Sequence, residues 1–294
     1  MSNRILLVDG MAMLFRHFYA SSIHQNFMRN SEGIPTNGTQ GFVRHIFSAL
    51  KQIKPSHVAV CWDMGTFTFR NETFASYKSN RPEPPEELKP QFTQVKHISE
   101  VLQFCNIGIN HFEADDVIGT LANHFAQYQN HEIYIITGDR DLLQCVDHNV
   151  KVCLIKKGFT EYHIYDQKRF VDEYHLNPIQ LIDVKAFMGD TADGYPGVKG
   201  IGEKTAIKLV RQYHSVEGVL EHLNELTASQ QLKIKNSIES LKVSQSLAKI
   251  HSHVPLEFED IYNKMAYRID KHSILQTCRD YELHVSRKFI EKLL

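Results

Sequence analysis

This chain of 294 residues predicts an α/β fold, with a mostly parallel central sheet flanked by helices and followed by a helical region. Three observations carry that expectation. Short apolar runs such as Ile5-Leu6-Leu7-Val8, Val58-Ala59-Val60-Cys61-Trp62 and Ile133-Tyr134-Ile135-Ile136 read as parallel strands buried on both faces. Amphipathic stretches alternate with them from residue 1 to about 165. Acidic residues recur where the runs end, the place where open α/β sheets bind ligands.

Taken in order, the apolar runs place strands at 4–8, 57–62, 107–110, 132–137 and 150–155, with a short one near 162–165. Helical patterns fall between them, near 10–20, 38–52, 87–104 and 114–127. The last is the clearest. Ala114, Val117, Ile118, Leu121, Ala122 and Phe125 recur at helical spacing and make one apolar face. Asp115 and Asp116 fall in its first turn, where the helix dipole favours negative charge. Between Asp63 and the helix near 87, the stretch mixes aromatic with basic residues and is hemmed by Pro82, Pro84 and Pro85, so it is expected to stand away from the sheet. From about residue 178 the pattern is helical to the end. Two regions follow, 1–175 and 176–294, expected to pack closely because no long linker or low-complexity segment separates them.

Composition excludes several classes. Apolar and charged fractions of 42% and 23% are those of an ordinary soluble globular protein. Only four strongly apolar residues precede Asp9, too few for a signal-peptide core, and no run approaches the length of a membrane span. The five cysteines are scattered and lack metal-finger spacing, which suggests reduced thiols in a cytosolic protein. The seventeen histidines form no ligand pattern such as H-E-x-x-H. A net charge of −1 hides a separation: without the nine clustered carboxylates, the rest of the chain carries +8. Neutrality is therefore weak evidence against a nucleic-acid partner.

Those nine carboxylates form five groups: Asp9; Asp63; Glu113, Asp115 and Asp116; Asp139 and Asp141; Asp190 and Asp193. Carboxylates converging at strand ends repel each other unless cations intervene, and hard divalent ions such as Mg²⁺ or Mn²⁺ take oxygen ligands. The pattern points to a metal-dependent site for phosphate chemistry. As simple helix N-terminal charges, Asp115 and Asp116 would leave the other groups unexplained. The segment with Arg70, Tyr77, Lys78 and Arg81 interleaves rings and positive charge, which suits single-stranded nucleic acid, although a solvated loop would look the same in isolation. In Pro196-Gly197-Val198-Lys199-Gly200-Ile201-Gly202-Glu203-Lys204-Thr205-Ala206, glycines at 200 and 202 allow a tight turn into a helix from about Glu203. Amides at such a helix start can hold a phosphate oxygen, with Lys199 and Lys204 adding charge, as in a helix-hairpin-helix element. The spacing is not that of a P-loop. A glycine turn also joins helices for purely structural reasons, but Asp190 and Asp193 just upstream couple this one to the acidic set.

Ordered motifs make the pattern specific. Leu-Val-Asp-Gly at 7–10, Trp-Asp at 62–63, Tyr-Lys-x-x-Arg at 77–81, Glu-Ala-Asp-Asp at 113–116, Thr-Gly-Asp-Arg-Asp-Leu-Leu-Gln at 137–144 and Gly-Asp-x-x-Asp at 189–193 precede the glycine turn. Over nearly its whole length the chain resembles the 5′-nuclease (flap endonuclease) family, in the bacterial branch that forms the N-terminal domain of DNA polymerase I. Ending at Leu294, it looks like a stand-alone version. One departure stands out: Thr191-Ala192-Asp193-Gly194-Tyr195-Pro196-Gly197 replaces the usual Ser-Ser-Asp-Asn-(Ile/Leu)-Pro-Gly.

The resemblance implies a PIN-like 5′-nuclease fold with a helix-hairpin-helix at about 190–212 and a helical arch at about 65–90 that admits a single-stranded 5′ end. It implies two divalent ions, Mg²⁺ with Mn²⁺ as substitute. Asp9, Asp63, Glu113 and Asp115 would mainly hold the first; Asp139, Asp141, Asp190 and Asp193 would mainly hold the second, with Asp116 shared or further out. Lys78 and Arg81 would meet the scissile phosphate. Arg70, Tyr77, Lys199, Gly200, Gly202 and Lys204 would contact DNA, and K⁺ would sit at the helix-hairpin-helix. The expected substrates are 5′ flaps, 5′ ends and gaps in DNA and RNA primers on DNA, cut by a monomer in the bacterial cytoplasm at the nucleoid. A PIN-like ribonuclease and a non-catalytic branch-binding protein are the competing readings.

Overall fold

The structure, a computed structural model, describes residues 3–22 and 27–294. Its strands are β1 (Asn3–Asp9), β2 (His57–Cys61), β3 (Cys105–Ile107), β4 (His131–Thr137), β5 (Val150–Lys157) and β6 (Glu161–Tyr165). The helices are α1 (Gly10–Ser21), α2 (Asn37–Ile53), α3 (Phe69–Thr73), α4 (Lys89–Val101), α5 (Ala114–Phe125), α6 (Gln167–Tyr174) and α7 (Leu181–Met188). They continue with α8 (Glu203–Tyr213), α9 (Val216–Glu221), α10 (Ala228–Lys235), α11 (Ile238–Ala248), α12 (Phe258–Met265), α13 (Lys271–Asp280) and α14 (His284–Leu293).

The sheet runs β3-β2-β1-β4-β5-β6, parallel except for the antiparallel edge strand β6. From β1 the chain builds outward to β2 and β3, then returns to add β4 on the other side. Its topology therefore switches beside β1, and the crevice above that point is where an open α/β sheet takes its ligand. Ile5, Leu6, Leu7 and Val8 are fully buried because β1 is covered on both faces. On one face, Ala114, Val117, Ile118, Leu121, Ala122 and Phe125 of α5 pack in the stripe that their spacing predicts. That core continues through Phe187, Leu209, Val210 and Met265, so the helical region shares it with the sheet. On the other face, Leu14, Phe42, Ile46 and Phe47 join Ile274, Cys278 and Ile290 of α13 and α14. Each fully buried Leu, Ile or Phe contributes about 2 kcal/mol.

Two sequence expectations shift. The third strand lies at Cys105–Ile107 rather than 107–110. Its ladder with β2 ends at Ile107, and the following Gly108 passes so close to Met64 and the Trp62 carbonyl that a Cβ there would collide with both. Helix α4 is shorter at both ends than expected: it starts at Lys89, and Gln103, at φ +63, turns the chain towards β3. All five cysteines are free. Among the described residues no helix is long and apolar enough to cross a membrane.

Candidate active site

Strand ends bring the first carboxylates together. Asp9 closes β1 and caps α1, accepting from the Ala12 amide at 2.9 Å and from the Thr137 hydroxyl at 2.8 Å. Asp63 follows β2 and accepts from the Ala114 amide at 2.8 Å, which ties it to the start of α5. Glu113 caps α5, and Asp115 lies in its first turn. Burial and the nearby charges of Asp63 and Asp139 push the Asp9 carboxyl up to about 7. Burial together with Asp9, Asp139 and Glu113 pushes Asp115 well above the usual carboxylate range. Carboxylates forced together in this way hold protons unless positive charge arrives. The donor set is entirely oxygen, which suits a hard divalent ion.

The second group is tighter. One oxygen from each of Asp141, Asp190 and Asp193 lies within 4.8 Å of the others, a spacing that fits a metal ion. Between them stands Lys185 of α7. Its ammonium bonds Asp141 and lies 2.6 Å from Asp190. Burial and Asp139 raise the Asp141 carboxyl to about 6 despite that lysine. Asp190 goes the other way: although burial opposes it, Lys185 holds the carboxyl below its usual range. Sequence reasoning missed Lys185. The available signal was a lone cation within the largely apolar Leu181–Met188 helix. Asp139, expected with the second group, falls outside the tight triad. It accepts from the Asp141 amide at 2.8 Å, and its charge acts on Asp9, Asp115 and Asp141, so it stands between the two groups. A cleft of about 950 Å³ opens over Asp139, Asp141, Lys185 and Asp190, walled by Arg16, Tyr19 and Phe159.

The segment near 65–90, expected to stand away from the sheet, is instead fastened to the start of α5 and to the acidic groups. Arg70 and Tyr77 are each 3% exposed, too buried to meet a nucleic-acid strand. Arg70 makes a two-pronged bond to Asp116, both distances 2.7 Å, and donates to the carbonyls of Leu247 and Lys249. It fastens this segment to α5 and to the chain after α11. Asp116 is fully buried, and its oxygens also accept from the amides of Glu113 and His251, so it has no oxygen turned towards a cation. The Tyr77 hydroxyl has a single proton to donate and lies 3.1 Å from Asp193 and 3.3 Å from Glu113, between the two acidic groups. Lys78 and Arg81 are paired with the acidic groups themselves. The Lys78 ammonium lies 2.6 Å from Glu113, and the Arg81 guanidinium pairs with Asp193. One cation thus faces each group.

The glycine turn joins α7 to α8. Gly200 needs its glycine, at φ +82, whereas Gly202 caps α8 in an extended conformation with open space around it. Lys199, Gly200, Gly202 and Lys204 are all exposed, and among the described residues neither lysine pairs with a carboxylate.

Comparison with known proteins agrees with this geometry. Residues 4–175 match the family described as 5′-3′ exonuclease, N-terminal resolvase-like domain, and residues 176–269 match 5′-3′ exonuclease, C-terminal SAM fold. A 5′-3′ exonuclease of Bacillus subtilis is 50% identical over 255 residues, covering 87% of this chain and 86% of that protein. DNA polymerase I of the same organism is 36% identical over 86% of this chain, which spans only 28% of the polymerase. Among solved structures, T5 5′-exonuclease with bound zinc superposes with a TM-score of 0.68 at 22% identity, covering 99% of this chain and 98% of that one. The catalytic core of Rad2 in complex with DNA substrate superposes at 0.63 and 13% identity, covering 100% and 92%. With both regions matched and a relative at 50% identity over most of its length, the chain belongs to the 5′-3′ exonuclease family.

Proposed function

We propose that this chain is a structure-specific 5′-3′ exonuclease and flap endonuclease that hydrolyses DNA with two divalent cations, Mg²⁺ or Mn²⁺. The observation that carries the reading is the convergence of two acidic groups at the topological switch point, one of them a triad already spaced for a cation. Asp9, Asp63, Glu113 and Asp115 would hold one ion; Asp141, Asp190 and Asp193 would hold the other, with Asp139 between. Bound there, the ions activate a water molecule and offset charge on the attacking and leaving oxygens.

The rest falls to the protein's own groups. Lys78 and Arg81 now rest on Glu113 and Asp193. With Glu113 and Asp193 turned to a cation, both side chains would be free to hold a phosphate and offset the charge it gains. Arg70 and Asp116 fix the segment that carries them, and Tyr77 keeps the two acidic groups in register. Exposed Lys199 and Lys204, with the amides at the start of α8, grip the duplex backbone without reading bases. We place a K⁺ ion at this turn on the strength of the family resemblance. The substrates are 5′ flaps, 5′ ends and gaps, including RNA primers on DNA, cut during replication and repair by a monomer in the bacterial cytoplasm.

Cleavage of a 5′-labelled flap, with Mg²⁺ and with a chelator, tests the reading beside single-stranded RNA. Flap cutting near the branch only in Mg²⁺ supports it. Preferential cutting of RNA would favour a ribonuclease, and binding without cutting would make the chain a branch-binding protein.

A further inference from the structure

Among the described residues, Lys96 of α4 is paired with no carboxylate, although it stands at the acidic centre. Lys78, Arg81 and Lys185 each lie against an acidic partner, whereas the Lys96 ammonium donates to the main-chain carbonyl of Asp63 at 3.1 Å. It also lies over the Trp62 ring, 5.7 Å from its centroid, and 4.0 Å from the Met64 sulfur. A lysine at the rim of a protein ordinarily runs its head out into water. This one is partly buried and folds back over the end of β2. The place it folds onto is firmly held. The Trp62 amide donates to the Ile107 carbonyl at 2.8 Å, and its indole donates to Asn106, which also accepts from Ser99, one turn along α4 from Lys96.

An ammonium has three N–H donors, and the Asp63 carbonyl takes one of them. A neutral carbonyl leaves the charge uncancelled, so Lys96 keeps both donors and charge for an anion. The sheet decides which anion can reach it. β2 and β4 flank β1 on opposite sides. Lys96 is fixed at the end of β2, while the Asp141, Asp190 and Asp193 triad gathers beyond the end of β4, with the exposed turn into α8 following it in the chain. A DNA strand whose duplex is gripped at that turn crosses the triad and then Asp9, and leaves past Asp63. In a 5′ flap the duplex lies on the 3′ side of the cut and the single-stranded arm on the 5′ side. We propose that Lys96 binds a phosphate of the single-stranded 5′ arm as it leaves the acidic centre over the end of β2. The inference rests on the flap-nuclease reading above and adds to it the exit of the arm.

Equilibrium binding by the full chain tests it, in EDTA so that nothing is cut and KCl alone competes for the phosphates. The ligands are a 5′ flap and the same duplex without its arm, with log Kd followed against log salt for wild type, Lys96→Met and Lys96→Arg. One lost single-strand phosphate contact lowers the slope by about 0.7. Lys96→Met shows that loss on the flap and none on the armless duplex, and Lys96→Arg, which keeps the charge, retains the wild-type slope. A wild-type slope for Lys96→Met on the flap overturns the proposal. So does an equal loss on both ligands, which would place the contact in the duplex. A loss shared by Lys96→Arg overturns it too, and leaves Lys96 as a prop for the Asp63 carbonyl. Lys96→Gln takes the place of Lys96→Met if circular dichroism shows the latter misfolded. Flap cutting in Mg²⁺ by the wild type separates the two readings. With cutting intact, an unchanged slope sinks the Lys96 assignment alone, whereas no cutting sinks the nuclease reading and this inference together.

Discussion

Lys78 holds a left-handed backbone at φ +58, a conformation that L-residues other than asparagine and aspartate seldom adopt. Its amide donates to the Asp193 carbonyl at 2.8 Å, and its ammonium meets Glu113, so one residue touches both acidic groups. Strain kept at such a place accords with a role in positioning. Replacing Lys78 by alanine should slow the chemical step by about 10²-fold, a typical loss for one transition-state electrostatic contact. Single-turnover rates at saturating enzyme would show it, and a loss confined to affinity would make Lys78 an ordinary phosphate contact. At this scale, the convergence of the acidic residues was legible because each lies where an apolar run stops. Burial of individual side chains was not. Nothing in the local sequence separates Arg70, held under the segment by Asp116, from Arg81, which is half exposed. Lys185 escaped notice because one of its partners, Asp141, lies far away in sequence, and only folding brings the two together.

Among the elements, α5 and the sheet strands other than β3 follow their sequence patterns closely, since each has one periodicity and one dominant burial. The segment near 65–90 does not, because its composition mixes rings with charge, and only tertiary contacts decide which of them turn inward. Asp116 illustrates the consequence. If it anchors Arg70, Asp116→Ala strips the buried guanidinium of its two-pronged partner and leaves only the longer contact to Glu113 at 3.4 Å, and urea unfolding should show a loss of about 3 kcal/mol. Near-normal stability with abolished turnover would instead make Asp116 a metal ligand. The turn into α8 offers a cleaner substitution than its appearance in sequence suggests. Gly200→Val is strained by its φ and crowds Lys233, but Gly202→Val enters open space at an ordinary φ. Gly202→Val should therefore fold normally, as circular dichroism would verify, and bind plain and branched duplex more weakly. Normal duplex affinity would reduce the turn to a structural joint.

At the scale of the whole molecule, the order of the strands places chemistry and grip side by side. β1, β2 and β4 deliver carboxylates to one crevice, while α7 carries Lys185 into that crevice and then runs through the turn to α8. The core beneath α5 runs on into these helices, so the acidic triad and the exposed turn rest on one packed body. The near-zero net charge expresses this division: a concentrated acidic centre is set within a basic remainder. On the two-cation reading, the second acidic group serves the reaction rather than DNA binding. Single-turnover cleavage of a 5′-labelled flap by Asp190→Asn, at enzyme concentrations above its measured Kd, tests this most directly. Cleavage should fall by about 10²-fold or more, while flap affinity holds or rises because a negative charge has been removed near phosphate. Cleavage by Asp190→Asn at the wild-type rate would contradict it.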